Sequence, residues 1–159
     1  MRNQLMLCVL LLFMTGDIQA TLKQPQVLLE VHIGMSEDDV RAKLQKIGQQ
    51  QKEQEMDGDE GEQEVWMLDR DPRFDYLIAR FDRQHRLAFM TAVVRKGLSI
   101  RYSDLADLTV ARHATDGFNH TYSWTVSAAG KRAGYVLVAR GTHPQLLTSY
   151  SLYPVRPRN

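Results

Sequence analysis

The chain has 159 residues, with 20 Lys or Arg against 19 Asp or Glu and a formal net charge of +1. This length fits one ordinary domain, and the charge balance gives no general electrostatic pull toward nucleic acid or anionic lipid. A single cysteine excludes an internal disulfide framework.

The first twenty residues read as a cleavable secretory signal. Arg2 precedes an apolar run from Leu5 to Met14, Gly16 and Asp17 break the run, and Ala20 supplies a small residue at the cleavage point. The run is too short for a bilayer, which takes about 20 residues in a helix, and nothing after Met14 approaches that length. Cys8 lies inside the run, upstream of any cleavage point, so it is not placed to carry a lipid. Removal of the first 20 of 159 residues leaves 139, none of them cysteine. The expected product is an unanchored, thiol-free protein outside the cytoplasm, periplasmic or secreted, that depends on its core for stability.

Leu22 to Ile33 reads as an extended lead-in, with Val27, Leu29 and Val31 alternating against Leu28, Glu30 and His32. A helix is predicted over 36–47. Ser36 is the N-cap, Asp39 completes a capping box, Met35 packs on Val40 as a staple, and Gly48 suits the exit. Val40, Leu44 and Ile47 form its apolar stripe. Gln49 to Gln63 holds five Gln, six Asp or Glu and one apolar residue, Met56. That composition predicts a mobile acidic loop, 49–63, and its spacing does not match a calcium-binding EF-hand.

Strands are predicted at 64–70, 76–82 and 87–95, with Asp71-Pro72-Arg73 as a turn between the first two. After Gly97 a short helix starts at Ser103 and carries Leu105, Leu108 and Ala111. Asp116-Gly117 marks a turn, and strands follow at 119–127, 133–140 and 146–153. The expected fold class is α+β, with helices packed on a mainly antiparallel sheet. Two tandem units of one helix and three strands, 30–96 and 97–155, are expected within a single domain 21–159.

The segment Ile33-Gly34-Met35-Ser36-Glu37-Asp38-Asp39-Val40, followed by Leu44, resembles the helix-start motif of the SmpA/OmlA family of outer-membrane assembly lipoproteins. Phe81-Asp82-Arg83 and the hairpin after it are similar to the same family. The resemblance covers roughly residues 30–95. It implies the β-lactamase-inhibitor-protein-like fold and a non-enzymatic binding or scaffolding role, and it transfers no functional residue.

Chemistry-bearing motifs are absent from the sequence. His32, His85, His113, His120 and His143 form no HExxH and no i, i+4 pair. No serine sits in a Gly-x-Ser-x-Gly elbow, and no phosphate-binding glycine loop occurs. No catalytic residue, metal or cofactor is therefore expected. The remaining candidate is a partner-binding platform of Tyr122, Trp124, Tyr135 and Tyr150 with Arg140, whose alternative is burial of the aromatics in the core. The expected function is an exported, non-enzymatic module that binds or scaffolds an unidentified protein partner. A small secreted hydrolase with dispersed carboxylate and His residues, or a small-ligand carrier, are the alternatives.

Overall fold

The computed structural model describes residues 25–55, 62–130 and 132–155. The leader assigned to 1–20 lies outside them. In chain order the elements are α1 (Glu37–Ile47), β1 (Gln49–Glu55), β2 (Glu62–Met67), β3 (Phe74–Phe81), β4 (Leu87–Val94), β5 (Ile100–Arg101) and α2 (Tyr102–Leu105). A 3-10 turn (Leu108–Val110) leads into β6 (Arg112–Asp116), β7 (Asn119–Val126), β8 (Tyr135–Gly141), β9 (Leu146–Leu147) and β10 (Ser149–Pro154).

Eight of the strands form one antiparallel sheet in the order β1-β2-β3-β4-β10-β8-β7-β6, and β5 pairs with β9 in a separate ribbon. Among the described residues 49% are strand and 15% helical, so the fold is β-rich and not α+β with helices layered on a sheet. Each side of the sheet is a four-stranded meander, where three strands were expected. The two meanders join through β4 and β10, along the rungs Ser149↔Val93 to Leu152↔Met90.

Local chemistry explains why helix was overestimated. Asp107 accepts from the Thr109 backbone N–H at 2.8 Å and from its hydroxyl at 2.7 Å. This side-chain bonding competes with the helical ladder, and Thr109 and Val110 are β-branched. The helix expected from Ser103 to Ala111 is thus one turn, a break and a 3-10 turn. The polar stretch expected as a loop also differs. Gln49–Glu55 is an edge strand on β2, in a register from Gln49↔Met67 to Glu55↔Glu62 with a bulge between Gln50 and Lys52. An edge strand tolerates charge and irregularity because they protect an open edge from pairing elsewhere. The middle of the expected loop, 56–61, lies outside the described residues. The same bias against polar runs hid β6, an edge strand whose residues are exposed throughout.

Helix α1 forms where it was expected. Ser36 accepts from the Asp39 backbone N–H at 3.3 Å, and its hydroxyl bonds the Asp39 carboxylate at 2.6 Å. Met35 and Val40 are both buried, as a staple requires. Gly48 ends the helix as expected, with extended rather than left-handed backbone. Its φ is −168°, and a side chain there would collide with the Met67 carbonyl and with Leu68. The lead-in 25–35 is irregular rather than a strand, yet Leu29, Val31, Ile33 and Met35 are all buried. It crosses the inner face of the sheet with α1 and α2.

That inner face holds the core. Leu77, Ala79, Phe81, Met90, Ala92, Leu137, Ala139, Tyr150 and Leu152 alternate inward along β3, β4, β8 and β10. Tyr150 stacks edge-on against Phe74 at 5.5 Å between centroids and is 0% exposed. Its hydroxyl lies near the Leu29 backbone without a hydrogen bond of full geometry, and burial pushes its pKa up. Removing an unsatisfied buried donor relieves a cost of about 1–3 kcal/mol. Tyr150→Phe is therefore expected to leave the urea midpoint unchanged or raise it. A clear fall in the midpoint would mean that the hydroxyl is bonded in solution.

Candidate functional site

Alternation along the strands builds a second face, opposite the core. Three rows of side chains cross it in register. The middle row is Val65, Ile78, Thr91, Ser151, Val138 and Ser123, on β2, β3, β4, β10, β8 and β7 in turn. One flanking row is Met67, Tyr76, Val93, Ser149, Arg140 and Thr121. The other contains Gln63, Arg80 and Phe89, with Tyr153, Val136 and Thr125 continuing it across the second meander.

Helices α1 and α2 and the lead-in all pack on the opposite side, so this outer face keeps its apolar groups partly in water. Tyr76 is 44% exposed and Met67 39%, while Val65, Ile78, Phe89, Val93, Val136, Val138 and Tyr153 are half-buried. Neighbours on the sheet order the face. Arg80 lies over the Phe89 ring at 5.3 Å, Phe89 meets Tyr153 at 5.1 Å, and the Thr91 and Ser151 hydroxyls bond at 2.7 Å across the joint between meanders. Arg80 and Arg140 bring charge to the flanking rows, and Arg112 on β6 extends the middle row beyond Ser123.

A charged network backs the other side. Glu64 on β2 is 0% exposed. Its carboxylate accepts from the Trp66 indole N–H at 2.7 Å and from Arg41 Nε at 2.5 Å. Arg41 also pairs with Glu37 at 2.6 Å, one helical turn earlier on α1. Glu37 in turn meets His85 Nδ1 at 2.7 Å. His85 sits in the β3–β4 hairpin at φ +54°, where Asp82 accepts from the backbone N–H groups of Gln84 and Arg86 at 2.9 Å each.

The hydrogen bond that His85 donates to the Glu37 carboxylate, and then the charge of that carboxylate, raise the His85 pKa above the ordinary value. A raised folded pKa means that the stabilisation is complete below the unfolded value, about 6.5, and is lost as pH rises through the folded value. The stability gap between wild type and His85→Asn should therefore be widest at acid pH and narrow as pH rises above about 6.5. Asn tolerates the left-handed backbone but is too short to reach Glu37. A gap that does not change with pH would remove the charged pair from the account.

The residues expected to form one binding platform do not share a surface. Trp124 is 3% exposed and donates its indole N–H to the Asp107 carbonyl at 2.8 Å. Tyr150 is in the core, as described. Tyr122 and Tyr135 are half-buried on the same inner side, and the Tyr135 hydroxyl reaches the Pro25 carbonyl at 3.5 Å. Tyr122 packs between Tyr102 and His113, at 4.5 and 4.2 Å between centroids. Only Arg140 is on the outer face, exposed. The aromatics therefore line the core and its margin.

No family model, curated protein or solved structure matches this chain at a significant level. The site is accordingly read from its own geometry. Among the described residues no group of three or more His, Cys, Asp or Glu converges on a metal-sized point. No described helix is long and apolar enough to cross a membrane. The outer-face residues missed from sequence did carry a signal. Ile78, Val93 and Val136 occupy the alternate positions of strands whose inward positions are already apolar, and a strand apolar on both faces has something to cover on each.

Proposed function

We propose that the chain is an exported, non-enzymatic module that binds a protein partner with the outer face of its sheet. One observation carries this reading. An ordered sheet face with apolar groups from Val65 to Val138 has its own helices on the opposite side, so it has apolar surface to gain by burial. A central apolar strip with aromatic members and arginines at its margin is the composition of protein-binding surfaces. Arg80 and Arg140, in the rows that flank the middle one, favour a partner whose apolar patch is flanked by carboxylates. The leader at 1–20 and the resemblance of the α1 start to envelope-assembly lipoproteins support a place in the envelope or outside the cell.

The test is capture by the folded protein from envelope or culture extracts, with crosslinking, compared with Ile78→Lys and Val138→Lys. These positions are half-exposed on the open face, so the circular dichroism and midpoint should change little while capture of a specific partner is lost. Raised salt should slow association if the two arginines steer it. Equal capture by wild type and both variants would place the binding surface elsewhere.

A further inference from the structure

The edge hairpin β6–β7 brings together two histidines that the rest of the site does not use. His113 is on β6 opposite Tyr122, and His120 is on β7 opposite Thr115. His120 Nδ1 and His113 Nε2 are 3.4 Å apart, with ring planes within 5° of each other. The pair is held from beneath. His113 stacks on Tyr122 at 4.2 Å and 12°, Tyr122 rests on Tyr102, and the Tyr102 hydroxyl donates to the His120 carbonyl at 3.2 Å. Tyr102 is itself buried, and that burial, with Tyr122 beside it, pushes its pKa up to about 12, so the hydroxyl stays a donor.

We propose that His113 and His120 form a two-histidine site for a borderline divalent transition metal, with zinc, copper and nickel as its chemical class. Metal–imidazole bonds of about 2.0–2.1 Å at a tetrahedral angle place two ligand nitrogens about 3.3–3.4 Å apart. The observed separation therefore already equals a tetrahedral ligand edge. Two neutral nitrogen donors suit these metals and not calcium or magnesium, which take oxygen ligands.

The rings now share one hydrogen bond. To bind the ion, the donor ring shifts tautomer, its proton moving to the distal nitrogen through solvent, so that both facing nitrogens present lone pairs. No net proton leaves. Stacking on Tyr122 limits rotation of the His113 ring and so pre-positions one of the two ligands. The protein fills two positions, and the others stay open to water or to ligands of a bound partner.

The experiment is titration of the untagged protein with Zn2+, Cu2+ or Ni2+ alone, read by calorimetry and, for Cu2+, by electron paramagnetic resonance. Saturable one-to-one binding with a two-nitrogen copper spectrum is expected, unaffected by excess Mg2+. His113→Phe keeps the stacked ring and the fold but removes a ligand, and His120→Gln removes the other. Each should lower affinity at least roughly tenfold, as loss of support at metal sites does, and His113→Phe should leave a one-nitrogen spectrum. His143→Ala should bind as wild type does. No saturable binding by wild type overturns the site, as does binding that survives both ligand substitutions. Because the open sheet face is on the other side of β7, Ile78→Lys should bind metal normally, which keeps this test separate from that of partner capture.

Discussion

Arg41→Ala is expected to destabilise the protein by about 3–5 kcal/mol, measured by urea or thermal unfolding at neutral pH. Breaking a buried ion pair on one side costs that much because the partner stays buried without its counter-charge. Here the partner is Glu64, fully enclosed beneath α1, with Arg41 Nε and the Trp66 indole as its hydrogen-bond donors. The same substitution frees Glu37, whose side chain is also nearly buried. The double variant Arg41→Ala, Glu64→Gln should recover a good part of the loss, since a neutral amide still accepts from Trp66 and needs no counter-charge. Equal destabilisation by the single and double variants would show that lost contact, and not the stranded charge, is the cause.

Trp124→Ala should cost a similar amount, about 3–5 kcal/mol, the usual range for truncating a buried large aromatic. Trp124 joins two parts of the second meander, filling the inner face of β7 and fastening the Asp107 carbonyl beside the 3-10 turn. Trp124→Phe preserves most of the volume and loses the hydrogen bond, which costs about 1–3 kcal/mol if the carbonyl stays dry. The two substitutions separate a core role from a contact role. If Trp124 served a partner directly, Trp124→Phe would weaken capture without moving the unfolding midpoint. The geometry predicts the reverse, a lower midpoint with capture retained by the protein that remains folded.

Sequence periodicity placed most of the sheet and the whole of α1, for a reason visible in single residues. Ser36, Asp39, Met35 and Val40 each act locally, within one helical turn, so their pattern survives without knowledge of neighbours. Gln49–Glu55 has no such local signal. It is a strand because β2 supplies hydrogen-bond partners, and a polar run reveals nothing of a neighbour that arrives in the fold. Gly48 shows the same limit. Helix exit explains its position well enough in sequence, while the actual constraint is the Met67 backbone passing alongside.

Between a platform and a core role for the aromatics the sequence left a choice, because strand parity was legible and the buried side was not. Tyr122 and Trp124 do share a face, as their spacing requires, but that face is the one α2 and the lead-in cover. Arg140, assigned to the same cluster, belongs to the other face through its pairing with Ser149 and Thr121. The charged network was beyond reach for a different reason. Glu37, Arg41, Glu64 and His85 come from three elements, and nothing in the spacing of 37, 41, 64 and 85 marks them as neighbours.

The joint between the meanders governs the order in which the protein can be assembled. Strand β4 is complete long before its partner β10 has been made, and the chain between them must be closed into a loop before the rungs at Met90 and Val93 form. Until then β4 is an open template, apolar on both sides, with unpaired backbone donors and acceptors along its length. Contacts of such long range form slowly. Until that closure the seam at the centre of the sheet is the part of the chain that a holding chaperone has most to protect.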